Sequence, residues 1–96
     1  MTKLEMIRDF NRISTLGHKV NKRITDIKAI GKSIGCEAMA RVIKNTENLT
    51  FPSYYSLDPD TKLTKADIKQ MIDNAIVGLE MVDRFETMLL DTLVYN

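Results

Sequence analysis

The apolar residues Ile13, Leu16, Val20, Ile24, Ile27, Ile30 and Ile34 recur every three or four positions. At 100° per residue all of them fall within an arc of about 120°, which is one face of an amphipathic helix held in phase over about six turns. The phase survives Gly17, so the pattern predicts one long first helix over about 3–30; Ser14 or Thr15 capping a second piece is the alternative. Gly31 and Gly35 then bracket a short stretch. Glycine costs about 1 kcal/mol relative to alanine inside a helix, so the pair points to a kink or a close helix crossing. A shorter helix with Ala38, Met39, Val42 and Ile43 is expected over 36–44.

Over 45–63 the helical period disappears, and both prolines, Pro52 and Pro59, fall here together with Phe51, Tyr54 and Tyr55. Structureless connections beyond about 12–15 residues are uncommon in compact domains and are usually functional or disordered, and aromatic residues argue against disorder. Thr64-Lys65-Ala66-Asp67 resembles a capping box with Asp in the place of Glu, which starts a last helix running over 65–94.

That last helix is amphipathic twice. Ile68, Ile72, Ala75, Leu79, Val82, Leu89 and Leu93 lie on one face, and Val77, Met81, Phe85 and Met88 on nearly the opposite one. A helix with two apolar stripes is buried on two sides. Its length, about 45 Å at 1.5 Å per residue, also exceeds what a compact chain with a radius of gyration near 13 Å can cover. The expectation is an all-α single domain, 1–96. Its core is a long antiparallel helical hairpin with a shorter middle helix, assembled into a helical-bundle homo-oligomer through Val77, Met81, Phe85 and Met88.

Charge sharpens this picture. The net charge of +1 hides two opposed halves: ten Lys/Arg against five acids in residues 1–48, and four against eight in 49–96. Pairing the halves would let them complement each other, which is how the antiparallel arrangement is reached. With 96 residues, 44% apolar and 28% charged, the composition excludes a collagen, a disulfide scaffold and a disordered tail. No apolar run exceeds three residues, against the roughly 20 that cross a bilayer, so no membrane span is expected. The start of the chain alternates charged and apolar residues, and Cys36 is the one cysteine; a cytoplasmic location is expected.

Candidate sites are few. Arg8, Arg12, Lys19, Lys22 and Arg23 share one side of the first helix, either as a footprint for an anion or nucleic acid or as a solvated face answering the acidic last helix. Phe51, Tyr54 and Tyr55 are either a recognition loop or a plug folded back on the end of the bundle. Glu86 interrupts the apolar seam of the last helix, as the partner of a basic residue on another helix or as an exposed residue where the seam drifts. His18 is expected at the surface, and Cys36, whose neighbour Glu37 gives a thiolate no support, as a small core residue. Asp58-Pro59-Asp60 begins like a calcium loop, but Lys62 and Leu63 occupy the positions of a ligand and of the turn glycine.

No metal, cofactor or catalytic set is expected. The pattern points to a non-catalytic interaction or regulatory protein that binds a protein partner. Its size and form suit an inhibitor or adaptor of a phage or other mobile element. The alternatives are an oligomer that sequesters an anionic small ligand such as a nucleotide, and nucleic-acid binding through the basic first helix.

Overall fold

A computed structural model describes residues 1–46, 49–52 and 56–95. Among them are three helices and no strand: α1 (Lys3–Ser33), α2 (Glu37–Asn45) and α3 (Lys65–Tyr95). The bounds lie within three residues of those expected from the apolar period, and α1 passes through Gly17 without a break.

The helix ends follow local chemistry. Thr64 Oγ1 accepts from the Asp67 N–H at 3.2 Å while Asp67 Oδ2 accepts from the Thr64 N–H at 3.1 Å, the reciprocal box anticipated from the sequence. An equivalent box opens α1, where Thr2 Oγ1 accepts from the Glu5 N–H and Glu5 Oε1 accepts from the Thr2 N–H. The Thr2 amide, then its hydroxyl, hold the Glu5 carboxyl below the ordinary carboxylate value. At the other end of α1 the Gly35 N–H donates to the Lys32 carbonyl and the Cys36 N–H to the Gly31 carbonyl. This Schellman closure requires the left-handed φ of 68° at Gly35.

α1 and α3 pack side by side, and they run parallel. Met6 and Ile7, at the start of α1, cluster with Ile68 at the start of α3; Arg23 pairs with Glu86 further along; Leu93, near the end of α3, lies beside Gly35 and Cys36 just past the end of α1. The antiparallel hairpin expected from the sequence is therefore corrected. Its basis was charge balance between the halves, and that balance is the same whichever way either helix points. The direction is set by the connection. A 31-residue helix is about 46 Å long, and α2 and the residues that follow it carry the chain back over that distance before α3 begins. The result is an elongated molecule of 49 × 18 × 17 Å, as long as one helix.

The return segment is bound along its way by two asparagines of α1. Asn21 Oδ1 accepts from the Phe51 N–H at 2.6 Å and its Nδ2 donates to the Phe51 carbonyl at 3.0 Å. Asn11 holds Leu57 in the same way, at 2.8 Å and 3.0 Å. Nearer the start of α1 the Lys3 ammonium donates to the Thr61 carbonyl. Each asparagine thus offers the extended backbone the donor and acceptor that a neighbouring strand would offer.

Between these clamps and the helices lies the core. Phe51 is 2% exposed and seats its ring at Gly17 of α1 and Gly78 of α3. A Cβ on Gly17 would come within 2.3 Å of that ring, so the glycine is what lets it enter. The core it belongs to runs along the helix pair and includes Phe10, Ile13, Val20, Ile24, Ile27, Met39, Ala75, Val82, Phe85 and Leu89. Of the two readings of the aromatic loop, Phe51 takes the plug, at the middle of the helix pair rather than its end. Tyr54 and Tyr55 lie outside the described residues.

Candidate functional site

The helical period that turns Ala75, Val82 and Leu89 into the core turns Val77, Met81 and Met88 to the opposite side of α3. There they are 56%, 50% and 39% exposed. Phe85, expected on the same stripe, is corrected. It is 2% exposed, because it sits where the stripe curves back toward α1, and the Lys28 ammonium lies 5.3 Å from its ring centroid. The solvent stripe also carries Asp73, Arg84 and Asp91, all exposed, and none of them forms an ion pair among the described residues. Ile76 and Leu90, at least 100° around α3 from this stripe, and Leu16 and Ile30 on α1 are exposed as well.

Glu86 does not drift into solvent. Its side chain is 15% exposed, and its Oε2 accepts from Arg23 Nε at 2.7 Å. That hydrogen bond stabilises the charged guanidinium and raises the Arg23 pKa. Arg23 is thereby committed to holding α3 against α1. Arg8, Arg12, Lys19 and Lys22 stand exposed on the outer side of α1, with Asp9 3.7 Å from Arg12.

A cleft of about 470 Å³ lies where α2 folds back on the last turns of α1. Its wall consists of Ala29, Gly31, Cys36, Met39, Ala40 and Ile43, and Lys28, Lys32 and Lys44 also line it. Gly31 shapes the floor: the Met39 sulfur occupies the space a Cβ would take, 2.0 Å from that position. Sequence reading marked Gly31 as a close crossing but missed the cleft, because Lys44 is twelve residues from Lys32 and sixteen from Lys28 and meets them only through the turn at Gly35.

His18 and Cys36 are not brought together. His18 is exposed near the middle of α1, edge-on to Phe51 with ring centroids 6.0 Å apart, whereas half-buried Cys36 lies beyond the helix end, about 20 Å further along the axis at 1.5 Å per residue. Among the described residues no group of three or more His, Cys, Asp and Glu is placed to hold a metal, and no helix is long and apolar enough to cross a membrane.

No protein-family model, curated protein or solved structure matches this chain. Its function is read from its own geometry.

Proposed function

We propose that this protein is a non-catalytic interaction protein that self-associates through the solvent stripe of α3 and binds a protein partner as an oligomer. The observation that carries the reading is the exposure of Val77, Met81 and Met88 on a helix whose other stripe is already buried. Contiguous apolar patches of this kind on a soluble chain mark interaction sites.

A second copy suits the stripe because of its charges. Arg84 lies between Asp73 and Asp91 along α3. In a two-fold contact the same patch meets itself, so two antiparallel copies of α3 set Arg84 of each against an aspartate of the other while the methionines and Val77 interdigitate. Charged pairs of this type fix register and orientation more than they add affinity. The outer side of α1, with Arg8, Arg12, Lys19 and Lys22, faces away from the core and is left for an acidic partner.

Sedimentation velocity and native mass spectrometry test the self-association. The wild-type chain is expected to form a defined oligomer, and the double variant Val77→Glu/Met81→Glu a monomer of unchanged helical content. A wild-type chain that stays monomeric at the highest soluble concentration overturns the reading.

A further inference from the structure

The cleft between the end of α1 and α2 is built for something other than a helix face. Its wall is almost wholly carbon and sulfur, and among the described residues no acidic side chain lines it while three lysines do. None of these lysines forms an ion pair among the described residues. Two have a local reason to be there: Lys32 and Lys44 stand in the last turns of α1 and α2, where a cation complements the helix dipole. Lys28 is held differently: it lies about a turn and a half inside α1, half-buried, with its ammonium over the Phe85 ring, so the positive charge at the opening comes chiefly from Lys32 and Lys44.

We infer that this cleft binds a small amphipathic anion, an acyl-like hydrocarbon body ending in a single carboxylate. The volume falls in the range of small-molecule sites, roughly 300–1,000 Å³. The apolar wall removes the hydrocarbon from water, which is where most of the binding free energy of such a ligand arises. The lysines then select the charged end, since an ammonium is a point charge that meets a carboxylate or phosphate without demanding a fixed geometry. A nucleobase is a poor occupant, because its hydrogen-bonding edges would face a wall with almost nothing to pair them. The site is separate from the α3 stripe, so it stands or falls independently of self-association.

Cys36 lines the cleft and is the chain's one cysteine, so it reports on occupancy. The experiment follows alkylation of Cys36 by iodoacetamide, an uncharged reagent, together with the methyl resonance of Met39. The probes are decanoate, its neutral counterpart decanol, and an acidic amphipathic peptide, each below its aggregation concentration. Decanoate is expected to slow alkylation and shift the Met39 methyl, more weakly as salt rises. Lys32→Glu/Lys44→Glu is expected to weaken decanoate binding roughly tenfold while leaving decanol binding and helical content unchanged. Equal binding of decanol and decanoate by the wild-type chain overturns the inference. So does protection of Cys36 by the peptide alone, which would make the cleft a docking site for a protein segment, and so does the absence of any effect of decanoate.

Discussion

The side-chain amide of Asn21 bonds to both backbone groups of Phe51, accepting from its N–H at 2.6 Å and donating to its carbonyl at 3.0 Å. One α1 side chain thereby fixes the residue whose ring fills the middle of the core. Replacement by alanine takes one partner from each of two partly buried backbone groups, at a cost of about 1–3 kcal/mol for a desolvated group. Urea denaturation of Asn21→Ala should show that loss. Hydrogen exchange should show the Phe51 amide released while the Leu57 amide, held by Asn11, keeps its protection.

Gly17 and Gly78 face the same ring and should respond differently to alanine. At Gly17 the added Cβ would lie 2.3 Å from the ring, and the ring's root atom, Cγ, is as close as its edge, so rotation gives no relief. Overpacking of this kind costs about 1–3 kcal/mol, more than the helix propensity gained. At Gly78 the nearest atoms are 3.5–3.7 Å away, an ordinary contact. Gly78→Ala is expected to be neutral or stabilising by up to about 1 kcal/mol. Pairing Gly17→Ala with Phe51→Leu should recover part of the loss, a departure from additivity that thermal melts of the four proteins measure.

Ser14 is 3% exposed and its Oγ has no hydrogen-bond partner among the described residues. Alanine removes the desolvated hydroxyl and is the better helix former, so Ser14→Ala should raise stability by about 1 kcal/mol in urea. A loss of stability instead would reveal a bond made by the hydroxyl.

The box at the start of α1 makes stability depend on pH. Glu5 sits below its ordinary value of 4.5 when folded, because its carboxylate accepts from the Thr2 amide and hydroxyl. A carboxyl depressed by folding contributes its stability above the unfolded pKa and loses it as pH falls through the folded one. Glu5→Ala should therefore melt below the wild-type chain at neutral pH, and the gap should narrow as pH falls below about 4. A gap that stays constant down to pH 3 would show that the charged carboxylate plays no part.

Much of this architecture was legible because it is periodic. The helices follow from apolar residues at three- and four-residue intervals, and the start of α3 from Thr64 and Asp67. The exposure of Val77, Met81 and Met88 follows from the same geometry. Helix direction was not legible, since an amphipathic pattern reads alike from either end; the clue lay in the length of the connection. Asn11 and Asn21 were invisible for another reason. A polar residue at the edge of an apolar stripe looks solvated unless one knows that an extended segment lies over it. The cleft depends on Lys28, Lys32 and Lys44 meeting across a turn, which no local spacing encodes.

The parallel arrangement has a consequence for how the chain reaches its native state. Antiparallel helices joined by a tight turn meet near that turn and zip up locally. Here the ion pair that joins α1 to α3 links residues 63 apart, and Lys3 finds its backbone acceptor 58 residues away. Contacts so distant in sequence place this protein among helical chains that close large loops before their helices reward them, and such topologies fold slowly for their helix content. During synthesis, α1 emerges with its apolar face bare, and much of that face stays so until α3 has followed it. The amphipathic helix that organises the finished protein is thus, for most of the time the chain is being made, a hydrophobic surface in search of cover.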